Sequence, residues 1–264
     1  MHQANAEKIL SMLAPTDLVL DVGGWACPFN RAQWVLDAQP YNTRGFYATF
    51  GGPRSQGGDE ERFSRSTWVQ QDICDRRPWP FEDNQFDFSI CSHTLEDLRD
   101  PIWVCSELER VSRRGYIEVP SRAWETTRGI ERSGQVGLAH HRWLVEVENR
   151  GLAFYCKPHS IHSHWRFSLP RSFLGRLPAD KAVEWLFWED HLPAEERFIH
   201  GAEETDRELE AYVRRTRPYP AWAVRVDLAI RRGSGRIGHW LRRASELKPS
   251  GIAREIYRRS RKSR

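Results

Sequence analysis

Leu18–Arg31, LVLDVGGWACPFNR, decides the reading of this chain. An apolar run, Leu18-Val19-Leu20, ends in Asp21, and Gly23 and Gly24 follow in a turn closed by Pro28. That is the pattern of a buried strand delivering a carboxylate and a glycine turn to one edge of a sheet. Glycine at such a turn lets the backbone approach a ligand that a Cβ would hold off.

Upstream, residues 3–13 read as a helix with Ile9, Leu10, Met12 and Leu13 apolar and Pro15 as a stop. Downstream, Gln33–Asp37 (QWVLD) reads as a second strand, again ending in a carboxylate. About fifteen residues between the two carboxylates leave room for one short helix of about two turns. Residues 41–65, with GGPRSQGGDEER inside them, read as a mobile loop. Thr67–Asp72 (TWVQQD) is a short strand, and Phe86–Cys91 (FDFSIC) a central one that runs into Ser92-His93-Thr94-Leu95-Glu96-Asp97. Asp100-Pro101 starts a helix, with Asp as cap and Pro in the first turn. Ile102, Cys105, Leu108 and Val111 share one face of it. Tyr116–Val119 (YIEV) is the next strand, closed by Pro120.

Strands alternating with helices in this way predict an α/β fold, a doubly wound, mostly parallel sheet. Ligands bind in such sheets beyond the carboxyl ends of the strands. Asp21, Asp37, Asp72 and Ser92-His93 all stand at those ends, so four strands offer polar groups to one crevice.

Residues 121–200 are less regular. Trp143–Glu148 and Leu152–Cys156 flank Asn149-Arg150-Gly151, which predicts an appended β-hairpin layer. A further strand is expected over Val183–Trp188. Residues 203–216 form an expected helix, acidic early and basic late as the macrodipole favours. The division expected is a core over 1–157, substrate-side or lid additions over 158–230, and a helical, basic, amphipathic tail over 231–264.

The net charge of +4 hides an asymmetry. From Arg231 to Arg264 there are 12 Lys or Arg against 2 acids, which leaves 28 against 34 in the rest of the chain. An acidic body with a basic tail suits an anionic membrane surface, a nucleic acid or an acidic partner. Five cysteines (27, 74, 91, 105 and 156) form no C-x-x-C pair, which points to reduced thiols and a cytoplasmic protein. The first residues carry no signal-peptide pattern, and no apolar run approaches the ~18 residues of a membrane span. At most the tail lies on the inner face of a membrane.

LVLDVGG, WVLD, QQDI, PFEDNQFDFSICSHTLEDLRDP and ELERVSRRGYIEVPS together resemble the successive motifs of the class I S-adenosylmethionine-dependent methyltransferases, with a methyltransferase type 11-like domain. The likeness runs over about residues 15–121 and implies a Rossmann-like methyltransferase sheet and S-adenosyl-L-methionine as cofactor. It departs from the family at Trp25 and Cys27, where further glycines are usual. By that resemblance, Asp21, Gly23, Gly24 and Trp25 face the amino-acid part of the cofactor. Asp37 accepts the ribose hydroxyls, a two-acceptor task suited to a carboxylate. Asp72 and Ile73 meet the adenine, and Ser92, His93 and Leu95 line the far side.

The expected reaction is O-methylation of a small-molecule or saccharide or glycolipid acceptor. Alignment of an already activated donor supplies much of such catalysis. A general base is drawn from His93, then His140 and His141. The alternative is a non-catalytic binding or scaffold protein on a degenerate methyltransferase fold. A nucleic-acid methyltransferase is the third reading, against which the acidic body argues. Cys156, His159, His162 and His164 (CKPHSIHSH) match no strong zinc spacing, and no metal is expected. Trp124, Trp143, Trp165, Trp185 and Trp188 are divided between an acceptor wall and the core of the hairpin layer.

Overall fold

Val19–Val22 form β1, all four residues buried, between Asp17 and the glycine turn. In this computed structural model, which describes residues 1–216, β1 sits inside a six-stranded sheet. β2 (Trp34–Asp37), β3 (Trp68–Gln70), β4 (Phe88–Ser92) and β5 (Arg114–Pro120) join it in the order β3-β2-β1-β4-β5, every pair parallel. The strand order reverses between β1 and β4, where Asp21 lies opposite Ile90 and Val22 opposite Cys91. A crevice opens at such a reversal because the connections leave in opposite directions.

Helices cover both faces, as the doubly wound pattern requires. α1 (Gln3–Met12) sets Ile9 among Val19, Phe29, Phe88, Ile90 and Tyr116. α2 (Pro101–Val111) buries Val104, Cys105, Leu108 and Val111 in the opposite core, with Leu20, Val22, Cys91 and Ile117. Its start is the expected one: the Asp100 carboxylate accepts from the Trp103 amide at 3.1 Å, and Pro101 takes the first position.

α3 (Arg122–Glu125) follows β5, and then β6 (Trp143–Glu148) and β7 (Gly151–Cys156) form the hairpin. Asn149 and Arg150 turn it at φ +48° and +64°, the doubly left-handed geometry that a two-residue loop needs. The sixth strand of the central sheet is β8 (Val183–Glu189), antiparallel to β5 from Arg114 opposite Glu189 to Pro120 opposite Val183. The core sheet therefore draws on residues beyond 157. β9 (Ala194–Glu196) adds to β7, so the hairpin layer is a three-stranded sheet. α4 (Ala202–Thr216) closes the described chain, and the tail over 231–264 lies outside the described residues.

Two connections differ from expectation. Between β1 and β2 there is a single 3₁₀ turn, Gly24–Ala26, where about two helical turns have room. The strand-end carboxylates take the donors there: Asp37 accepts from the Trp25 amide at 3.0 Å and Asp21 from the Phe29 amide at 2.8 Å. Pro28 has no amide to contribute. Residues 41–65, read as a mobile loop, are pinned to the turn. The Gly45 amide donates to the Trp25 carbonyl at 2.8 Å, the Gln56 amide to the Pro28 carbonyl at 2.9 Å, and Arg44 pairs with Glu61 at 2.7 Å. No helix among the described residues is long and apolar enough to cross a membrane.

Candidate functional site

Beyond the ends of β1 and β4 a cavity of about 360 Å³ is lined by Asp21, Gly23, Gly24, Cys27, Ser92 and His93, with Tyr47 from the pinned segment. Gly23 opens it in the left-handed region, at φ +76°. A Cβ there would lie 2.3 Å from the Thr94 hydroxyl, so only glycine satisfies both the backbone and the space. Gly23→Ala is accordingly expected to cost about 2–4 kcal/mol in urea unfolding. An unchanged midpoint would contradict this account of the turn.

Asp21 is 3% exposed. Burial lifts its carboxyl to about 7, against the Phe29 amide, which pulls it down; the nearby Asp37 charge adds to the rise. A buried carboxylate short of positive charge is completed by a cation, and the ammonium of an amino acid is one. The Ser92 hydroxyl is buried with no hydrogen-bond partner among the described residues, a vacancy for a polar ligand atom. The cavity thus fits the amino-acid end of S-adenosylmethionine.

His93 stands at the reversal point with φ +53°, a conformation uncommon for any side chain except at turns and sites. Its Nε2 lies 3.0 Å from Glu118 Oε1 and its Nδ1 3.7 Å from Glu96 Oε1. Glu118 is fully buried and also accepts from the His2 amide at 2.9 Å and from the Tyr116 hydroxyl. Burial alone would lower the imidazole, but Glu118 and Glu96 override it and raise His93 to about 9. Burial likewise pushes Glu118 up, yet His93, Tyr116 and the His2 amide hold it at about 2. His93 is therefore held in its protonated form at neutral pH by its two carboxylate neighbours.

A second cavity, about 260 Å³, is lined by Glu96, Asp97, Trp124, His140 and His141 and shares Tyr47 and His93 with the first. His141 is 7% exposed, and its Nδ1 lies 2.8 Å from Glu125 Oε1. Lys157 Nζ holds the other Glu125 oxygen at 2.8 Å. Burial lowers His141, but the Glu125 hydrogen bond outweighs it and the net shift is upward. His140 is exposed, its ring edge-on to His141 at 4.6 Å.

The structure thus gathers Asp21, Gly23, Gly24, Ser92 and His93 at the first cavity and His93, His140 and His141 at the second. The other cofactor residues read from sequence do not line these two cavities. Trp25 stacks on Phe46 at 4.7 Å and its indole N–H donates to Thr43 at 2.9 Å. Asp37 is buried, one oxygen taken by the Trp25 amide and the other by the Gln39 amide at 2.8 Å. Burial raises its carboxyl while these two amides lower it. Asp72 pairs with Arg99 at 2.7 Å, and Ile73 and Leu95 are core residues. Among the tryptophans, Trp124 lines the second cavity while Trp143 and Trp188 are built into the core. His162 and His164 of the histidine-rich stretch accept from the amides of Val136 and Arg166, at 3.1 and 3.2 Å.

Sequence reasoning missed Tyr47, Glu96, Asp97, Glu118 and Glu125. Glu118 carried a signal, an acid inside the apolar strand YIEV, and buried acids are rarely without a partner. Tyr47 carried none. A larger cleft, about 470 Å³, opens between α2 and the second sheet, but it holds none of these groups.

Residues 54–117, from before β3 into β5, match a family described as a methyltransferase domain. No curated protein matches the chain. Solved structures similar to it include a SAM-dependent methyltransferase from Aquifex aeolicus, 20% identical over 45% of this chain and 65% of that one, with a TM-score of 0.29. A SAM-dependent methyltransferase from Methanosarcina mazei is 15% identical over 53% and 85%, with a TM-score of 0.34. An arsenic(III) S-adenosylmethionine methyltransferase from Chlamydomonas reinhardtii is 15% identical over 44% and 48%, with a TM-score of 0.27. The chain spans about half the length of three further similar structures. The methyltransferase-domain match thus falls across β3, β4, α2 and the start of β5, on a sheet whose strand order reverses beside a glycine turn.

Proposed function

We propose that the chain transfers a methyl group to an oxygen of a small-molecule or saccharide-bearing acceptor. The donor's amino-acid end binds in the first cavity and the acceptor in the second. The observation that carries this reading is the common wall: Tyr47 and His93 line both chambers, so donor and acceptor meet there. Bound S-adenosylmethionine supplies an electrophilic methyl group on a sulfonium, which is left as a neutral thioether. Asp21 holds the ammonium, the glycine turn admits the chain of the amino acid, and Ser92 offers a free hydroxyl. Glu118 and Glu96 flank His93, so the wall carries more acid than base and favours a cationic donor. Asp97, His140 and His141 line the second cavity and so stand beside the acceptor.

Calorimetric titration with S-adenosylhomocysteine tests the donor site. Micromolar-range binding is expected, tightening as pH rises to about 7 and then levelling, because the cation binds the ionised form of Asp21. Absence of heat with both S-adenosylmethionine and S-adenosylhomocysteine sinks the proposal.

A second reading, a binding or scaffold protein on a degenerate site, has one specific support. The Asp37 carboxylate, which the resemblance assigns to the ribose, has both oxygens engaged by backbone amides. Cofactor binding combined with failure to methylate any acceptor in a panel of hydroxylated metabolites and saccharides would favour it.

A further inference from the structure

The turn after β4 and the segment before β6 bring three donor groups together. Asp97 Oδ1 lies 3.7 Å from His141 Nε2 and 3.9 Å from His140 Nε2, and the three donor atoms all fall within 4.8 Å of one another. A tetrahedral ion with bonds of about 2.1 Å holds its ligands about 3.4 Å apart, so closure needs shifts of about 1 Å, within the reach of side-chain rotation.

Three further observations point to an ion. Asp97 Oδ1 is buried and has no hydrogen-bond partner among the described residues. Glu125 grips the far nitrogen of His141 at 2.8 Å and is itself held by Lys157, so the imidazole presents Nε2 towards Asp97. A carboxylate behind a ligating histidine is the arrangement that fixes ring orientation and tautomer in metal sites. Glu96, 1% exposed and lining the same cavity, leaves its Oε2 unpartnered as well.

We propose that Asp97, His140 and His141 bind one divalent transition-metal ion. Two imidazoles and one carboxylate suit Zn²⁺, Fe²⁺ or Mn²⁺ rather than Mg²⁺ or Ca²⁺, which prefer all-oxygen shells. All three ligands line the second cavity, so the remaining coordination positions open into it and suit a ligand with oxygen donors. The ion site stands on its own geometry; its use as an anchor for the acceptor rests on the methyl-transfer reading.

The test uses the full chain stripped with chelator and dialysed. Titration with Zn²⁺ by calorimetry and with Co²⁺ by visible absorption should give one equivalent bound at micromolar affinity or tighter. Asp97→Ala and His140→Ala should each weaken binding at least tenfold, and Glu125→Gln about tenfold to a hundredfold. His159→Ala, in the histidine-rich stretch, should leave it unchanged. His140 is exposed, so its variant keeps the fold, and circular dichroism checks this. No stoichiometric binding, or binding that survives the double variant of Asp97 and His140, overturns the site. S-adenosylhomocysteine titrations on the same samples separate the two proposals. Cofactor binding without metal binding removes the ion site alone, and metal binding without cofactor binding supports the site while removing methyl transfer.

Discussion

Asp21→Asn is expected to weaken S-adenosylhomocysteine binding at pH 8 by tenfold to more than a hundredfold. A charge-assisted hydrogen bond contributes about 1.5–3 kcal/mol, and each 1.4 kcal/mol is about a factor of ten. The gap should close at pH 5.5, where the wild-type carboxyl, lifted to about 7, is itself neutral. The same substitution should leave the fold as stable or more so. Because the folded-state value lies above the ordinary 3.8, the empty protein loses stability as pH rises from 3.8 through about 7. An amide escapes that loss and still accepts from the Phe29 amide. Thermal denaturation at pH 8 checks this half, and a lower midpoint for the variant would count against it. An affinity loss of equal size at pH 5.5 and 8 would assign the effect to shape rather than charge.

Glu118→Ala should be the most destabilising single change in the described chain. It strips the carboxylate from His93, the Tyr116 hydroxyl and the His2 amide at a fully buried position. Breaking a buried charged network in this way costs about 3–5 kcal/mol, or ~10 °C in melting temperature for a domain of this size. The pH profile tells the charge from the cavity. The depressed value of Glu118 gives stability that is present above 4.5 and lost as pH falls towards about 2. The raised value of His93 gives stability that is complete below 6.5 and lost as pH rises through about 9. The Glu118–His93 pair should therefore contribute most between about pH 4.5 and 6.5. The variant should be flatter on both sides. Melting curves of wild type and variant that run parallel from pH 3 to 9 would remove the ion pair from the account.

The fold was legible because its strands end in chemistry. Val19–Val22, Trp34–Asp37 and Phe88–Ser92 are apolar runs stopped by polar residues, and burial with hydrogen bonding at the sheet edge produces that pattern. The first cavity was legible in part for the same reason: Asp21, Gly23 and Ser92-His93 are local features of strand ends. Asp37 shows the limit. Its place at the end of β2 follows from sequence, but the Trp25 amide that claims one of its oxygens depends on a turn held through the Trp25 carbonyl by the Gly45 amide. The second cavity was less legible. Asp97 and His141 are 44 positions apart, and their meeting depends on Glu96 accepting the Arg142 amide through its carbonyl at 2.8 Å, a contact with no sequence period. Residues 41–65 misled because glycine marks both free loops and tightly bent ones. Here Gly45 and Gly51 sit at φ +78° and +81° around a 3₁₀ turn.

The placement of β8 bears on how the chain is made and how it can be cut. β5 receives its outer neighbour only from residues 183–189, more than sixty positions after its own end. Until those residues leave the ribosome, β5 is a bare edge with apolar Tyr116, Ile117 and Val119, the kind of edge that recruits strands from other chains. A fragment ending at residue 157 would keep the donor cavity and the histidine pair and still expose that edge permanently. Its failure in solution would then report a missing strand, and would say nothing about the chemistry of the residues it retains.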